Sequence, residues 1–402
     1  MSTPSEAAAA RAGIPRYRPW HGIALFKQGF RPFFLAAGVS AAVLLVVWIL
    51  VLMGRIGLPG AVMSPMHWHA HEMIFGALAA AVAGFLLTAI PNWTGRMPLQ
   101  GWPLVGLFVL WLAGRAAMAA GAVIGPELAA VIDVSFLAVL LGVVVREILA
   151  GRNWRNLPVV AAIGLLVAAN VVTHLEALGL IGSYDLGIRA GISVIALLIA
   201  LIGGRIIPSF TGNWLAKRGV PQRPSPFGRF DGVVLALTAA GLGAWTFAPD
   251  QLMSGAMLLA AGIGNCVRFA RWQGVRTFAE PLVWSLHAGY VWVPVGLVLL
   301  GLPYFVAEIP ESAGLHALTA GAMGGMILAV MTRATLGHTG RALAADRWTT
   351  AIYILGFAAA AARVAAALWP AGFDTLLMIG GAGWCAAFGL FTIRYGAILL
   401  AR

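Results

Sequence analysis

Apolar stretches of 18 or more residues recur along this chain from end to end, and each is long enough to cross a bilayer as a helix. Twelve can be counted, at roughly 33–53, 66–90, 103–121, 127–149, 157–180, 187–207, 231–248, 251–270, 281–302, 310–332, 348–369 and 372–398. Lipid offers no water to backbone N–H and C=O groups, so only helices or closed barrels can span it. Continuous apolar runs of this length, without alternation, specify helices. The expected fold is therefore all-α: a polytopic membrane protein of twelve transmembrane helices, with residues 1–402 forming one integral membrane domain. Connections are short, the longest falling between about 208 and 230, and no soluble domain is left over.

Charged residues make up 10% of the chain and the net charge is +12. The placement of the basic residues argues against nucleic acid as a partner. With the N-terminus on the cytoplasmic side, only Arg55 and Arg189 fall in outer loops, and Arg115 and Arg363 lie within spans. The other 22 of the 26 Lys and Arg residues fall on the cytoplasmic side. That is the positive-inside pattern, so charge reports topology, with both termini cytoplasmic. The basic N-terminal stretch lacks a small-residue cleavage pattern, so the first span reads as retained. Cys266 and Cys385 stand in apolar contexts and form no metal-binding spacing.

A weak internal repeat points to three four-helix units with pseudo-threefold symmetry, at about 30–150, 155–275 and 280–402. The second, sixth and tenth spans each read as finishing in Thr-Gly, at Thr94-Gly95, Thr211-Gly212 and Thr339-Gly340. An Arg and a Pro precede or open the first span of each unit: Arg31-Pro32, Arg155 to Pro158, Arg276 to Pro281. The third spans of the first and last units share a buried arginine, Arg115 and Arg363.

Three histidines crowd the start of the second span, in Met66-His67-Trp68-His69-Ala70-His71-Glu72-Met73. Ionisable side chains inside a bilayer are costly and mark functional sites. Imidazole is also a ligand suited to copper, iron and zinc. His71 lies six residues past Pro65, His316 six past Pro310, and His174 six short of Leu180. All three therefore sit about 9 Å below the outer helix ends. The spacing predicts that they converge in one outer-leaflet layer. His69 and His71 diverge by about 200° on a regular helix, so His69 is expected to face a second side. Glu72 is a candidate proton relay. Arg115 and Asp133 should meet at equal depth, as a structural ion pair or part of a proton route. Arg363, Trp68 and Asn170 are candidates to meet the propionates of a haem. His287 lies about 9 Å from the inner face by the same rise, and His338 lies at the following cytoplasmic loop. From the residues alone both read as structural, and His21 reads as solvated.

Longer strings carry a resemblance. They are Gly29-Phe30-Arg31-Pro32-Phe33-Phe34, then Trp68-His69-Ala70-His71-Glu72-Met73, then Gly84-Phe85-Leu86-Leu87-Thr88 and Pro91-Asn92-Trp93-Thr94-Gly95. Near the other end stand His316-Ala317-Leu318-Thr319-Ala320-Gly321-Ala322, Gly324-Gly325-Met326 and Leu336-Gly337-His338-Thr339-Gly340-Arg341. In these the chain resembles the NnrS family of haem- and copper-containing membrane proteins linked to nitric oxide, over essentially its whole length. The resemblance implies haem b and copper, a bacterial inner membrane, and relief of nitrosative stress. It places weight on His71, His316 and His287 as cofactor-binding residues and on His69, His174 and His338 as metal ligands. It leaves His67 aside.

Two function classes follow. One is a redox protein that binds nitric oxide at haem or a haem-copper centre and reduces it, with an unidentified electron donor. The other is a transporter or metal- and haem-handling protein without turnover. The second is disfavoured because no pair of Gly/Pro-broken half-helices stands at mid-membrane.

Overall fold

The computed structural model describes residues 19–58, 60–183 and 185–401. The basic stretch over 1–18 lies outside the described residues. Among the described residues, twelve helices are long and apolar enough to cross a membrane. They are α1 (Phe30–Leu52), α2 (Pro65–Thr94), α3 (Trp102–Ile124), α4 (Pro126–Ala150), α5 (Trp154–Ala177) and α6 (Leu186–Lys217). Then come α7 (Arg229–Phe247), α8 (Leu252–Arg276), α9 (Pro281–Tyr304), α10 (Glu311–His338), α11 (Arg347–Leu368) and α12 (Pro370–Leu400). No strand occurs among the described residues.

Local chemistry sets several ends. Pro65 and Pro281 occupy first-turn positions, where a missing N–H costs nothing. Ser64 and Glu280 cap the same two helices with their side-chain oxygens. At the far end of α2, Gly95 takes φ +69°, a left-handed cap that glycine adopts without a Cβ clash.

One expected recurrence does not survive. Thr94-Gly95 and Thr339-Gly340 do sit at the ends of α2 and α10, but Thr211-Gly212 lies inside α6, which continues to Lys217. Pro208 removes only one helical bond, and the polar turns after it stay helical. The apolar run marks what lipid requires, and it stops before the helix does.

Four helices form the interior. Over their most apolar windows α2, α6, α9 and α10 are 61–72% buried, whereas the other eight helices are 22–39% buried. Three of the four, α2, α6 and α10, hold the same ordinal place in the expected four-helix units. Each also contains a π-helical segment: Glu72–Leu78, Ile199–Gly203 and Ala317–Gly324. Such segments are rare and concentrate at functional sites. In α2 the segment's Gly76 carbonyl accepts a hydrogen bond from Trp111 Nε1 at 3.1 Å, and the segment begins directly after His71.

Candidate metal centres on two faces of α2

The His71 face is a closed polar cluster built by four helices. His71 and Glu72 come from α2, Arg115 from α3, Asp133 from α4, and Asn170 and His174 from α5. Asp133 is its hub. Its Oδ2 accepts from Asn170 Nδ2 at 2.8 Å and lies 3.1 Å from both His71 Nε2 and His174 Nε2. Arg115 donates to Asp133 Oδ1 and to Glu72 Oε1. Glu72 Oε1 also stands 3.2 Å from His71 Nδ1. The His71 and His174 rings meet edge to face at 5.1 Å.

All of these groups but Arg115 are fully or almost fully buried. Burying charge is tolerable only when it is paired and hydrogen-bonded, and here the pairing is dense. With neutral imidazoles, two carboxylates against one guanidinium leave a net charge of −1. One further positive charge, a proton or a monovalent metal cation, balances the cluster, and a divalent ion would leave it at +1. The ligand atoms of His71, Asp133 and His174 all lie within 4.8 Å of one another. Two imidazoles and a carboxylate suit a first-row transition metal.

Glycines let the pieces approach. A Cβ on Gly76 would stand 2.6 Å from the Arg115 guanidinium, and one on Gly114 would stand 3.2 Å from Asp133 Oδ1.

The His69 face is built differently. The His69 ring stacks on Trp48 of α1, with centroids 4.6 Å apart and planes 11° from parallel. His316 of α10 and Arg363 of α11 stand within electrostatic range of it. His316 Nδ1 lies 2.8 Å from the Ser312 carbonyl. A donor there leaves Nε2 as the ring's lone-pair nitrogen, the arrangement that orients metal-binding histidines. Two buried polar atoms on this side have no hydrogen-bond partner, His69 Nδ1 and Arg363 Nη1; neither has Trp68 Nε1, whose ring packs with Met63 and Met118. Unsatisfied buried polar atoms are uncommon in a folded protein and call for an explanation.

The expected outer layer is thus split. His71 and His174 come together as the equal depths predict, but His316 joins His69 on the opposite side. The reason is angular. Counting from helix ends gives depth, while the direction of each ring depends on which neighbour packs against which face. The divergence of His69 from His71 is found as expected, and so is the Arg115–Asp133 pair.

The other histidines lie apart. His287 Nε2 is 2.8 Å from Thr211 Oγ1, and its ring meets Phe269 edge to face at 5.8 Å. Its Nδ1 has no partner, but Gly274 closes on that edge, so that a Cβ there would stand 2.6 Å away. His338 ends α10 with its ring 5.7 Å from Phe30. His67 bonds Ser64 at 2.7 Å and Asp185 at 2.8 Å, tying α2 to the start of α6. His21 is exposed.

Two participants escaped the sequence reading. Asp133 was legible as an ion-pair partner, and its depth beside His174 was the available signal for more. Trp48 carried no signal. A third buried set stands apart from both faces, where Arg268 donates to Asp231 at 3.0 Å and to Tyr290 at 3.0 Å, and Tyr290 bonds Asn265 at 2.8 Å.

These features define a class: a multi-pass α-helical membrane protein with two buried imidazole clusters on one central helix. A family model described as NnrS protein matches residues 24–402, and the chain belongs to that family. Comparison with curated proteins gives no match.

Proposed function

We propose that this chain handles nitric oxide in the bacterial inner membrane, with a haem on the His69 face of α2 and copper on the His71 face, and so relieves nitrosative stress. Membership in the NnrS family fits a nitric-oxide-response membrane protein. The observation that carries the reading is that a ring nitrogen and a guanidinium nitrogen on the His69 face, His69 Nδ1 and Arg363 Nη1, are buried without partners near the lone-pair nitrogen of His316. A group offering a coordination position and anionic edges would satisfy them.

In this reading His69 and His316 hold haem b, and Arg363 and Trp68 meet its carboxylates. The iron supplies a redox-active centre that binds nitric oxide. The chain's own residues fix the geometry: the Ser312 carbonyl holds His316 by its Nδ1, and Trp48 holds the plane of His69. His71, His174 and Asp133 hold copper, a donor set that fits it. Glu72, between His71 and Arg115, is placed to hold a proton for the site. Reduction of nitric oxide would also draw on an unidentified electron donor. The partners are nitric oxide, membrane lipid and that donor. His287 and His338 are proposed as packing residues of the inner half. Copper or haem loss in His287→Ala would instead indicate a further centre there.

A second reading is a transporter or haem- and metal-handling protein without turnover. It draws on the departures from α-helix inside the three central helices, since irregular helices line transporter sites. The visible spectrum of the purified protein, with and without dithionite and nitric oxide, separates the two. The first reading expects a haem band that sharpens on reduction and shifts with nitric oxide. A colourless, metal-free protein from haem-replete cells would remove it. Reporter fusions at His21 and in the loop between α6 and α7 should both read cytoplasmic, and a periplasmic signal from either would overturn the topology.

A further inference from the structure

The apolar space between α2, α6 and α10 is absorbed by neither cluster. We propose that it is a holding site for small, uncharged, apolar gas molecules that enter from the bilayer. The cavity measures about 90 Å³ and is lined by those three helices together with Phe34 of α1. All three π segments border it, through Leu78, Ile199 and Met323. A π turn carries an extra residue and interrupts the regular ridge pattern, so neighbouring helices cannot interlock there.

The lining decides the guest. Every lining residue is apolar. A charged or hydrogen-bonding guest would lose its hydration with nothing in return. An apolar cavity stays dry and accepts apolar guests such as xenon. Thioethers at Met323, Met326 and Met331 add polarisable, adaptable contact surface. Val82, Phe85, Ile202 and Ile327 are only half-buried, so the cavity is not sealed and a guest can exchange with the surroundings.

Position links the cavity to the imidazoles. Leu78 is seven residues past His71 and Met323 is seven past His316, so the cavity begins about 10 Å deeper along the same two helices. Helix α6 has no histidine but is as interior as α9. Lining this cavity gives its π segment a role. The assignment of nitric oxide as the natural guest rests on the proposed function, whereas the gas site itself does not.

The test is xenon titration of ¹³C-methyl-methionine protein in nanodiscs, read by NMR. The chain has 13 methionines. The methyl signals of Met323, Met326 and Met331, assigned by single Met→Leu changes, should show a saturable shift with xenon pressure. Exposed Met253, 67% accessible, should show none. Val82→Phe and Val330→Phe each fill the space from a half-buried position and should abolish the shift while the thermal transition is retained. No saturable shift, an equal shift at Met253, or a shift that survives both fillings would overturn the proposal. So would acyl-chain contacts to the three methyls, which would mean that a lipid tail fills the cavity. The readout needs no haem, so a missing gas site and a missing haem are told apart.

Discussion

The two faces of α2 bury similar side chains and treat them in opposite ways. On one face His71 meets two carboxylates, and Asp133, Asn170 and Arg115 bond to one another around it, with only Arg115 Nε left unpartnered in the cluster. On the other face His69 is stacked on Trp48, near His316 and Arg363, with its Nδ1 and the arginine's Nη1 unpaired. Two positions along the chain thus separate a charge-paired cluster from a site where a ring nitrogen and a guanidinium nitrogen are buried without partners. Burial alone does not distinguish the two faces. The partners of the buried rings do: carboxylates on one, an indole and a nearby guanidinium on the other.

Breaking the closed face should cost the fold most. Asp133→Ala leaves Arg115 and Glu72 buried without the hub, and removing one partner of a buried pair costs about 3–5 kcal/mol. Thermal unfolding in detergent should show a large drop. By contrast His69→Ala should leave the transition near that of the wild type once both proteins are freed of cofactor. Equal losses from the two variants would erase the distinction between the faces.

Gly76→Ala should have the next largest effect. Its Cβ would press on the Arg115 guanidinium, and overpacking of this kind costs about 1–3 kcal/mol. The same melting experiment checks it, and Gly212→Ala, with only Pro224 nearby at 3.7 Å, serves as the mild comparison.

Outside the membrane the effects shrink. Asp346 caps α11 through Thr349 and pairs with Arg394. Burial alone would raise its carboxyl pKa, but the Thr349 N–H, the Thr349 hydroxyl and Arg394 hold it below the usual value. A depressed folded pKa gives stability that is present above the unfolded pKa and lost as pH falls through the folded one. Asp346→Ala should therefore cost about 1 kcal/mol near neutrality. The difference from wild type should begin to shrink below pH ~4 and vanish once the pH is below the depressed folded pKa. A difference that persists there would exclude the ionised cap. Smallest of all, His67→Ala removes a half-exposed bond to Asp185 and should change stability by about 0–1 kcal/mol. It should leave any bound haem and copper in place.

Depth was legible in the sequence, and direction was not. Twelve runs of lipid-spanning length gave twelve helices, because membrane thickness fixes length. Counting from helix ends put His71, His174, Arg115 and Asp133 near one level, and the structure joins them. His316 reads the same by counting yet lies on the other side, because helix azimuth is set by packing between distant segments. Trp48 sits in an unremarkable apolar run, and only the fold brings it against His69. The π segments left no trace in composition, since a register change within an apolar helix alters no residue type. The three-unit repeat predicts that α1–α4, α5–α8 and α9–α12 superpose by rotation about an axis near the membrane normal. Unrelated helix orders in the three units would end that idea.

The central claim is that the two faces of α2 hold different cofactors, and paired cofactor analysis tests it most directly. Haem should be measured by pyridine haemochrome and copper by mass spectrometry, in wild type, His69→Ala and His174→Ala purified alike. The account predicts that His69→Ala loses haem and keeps copper, while His174→Ala loses copper and keeps haem. Loss of the same cofactor from both variants, or of none from either, would contradict it.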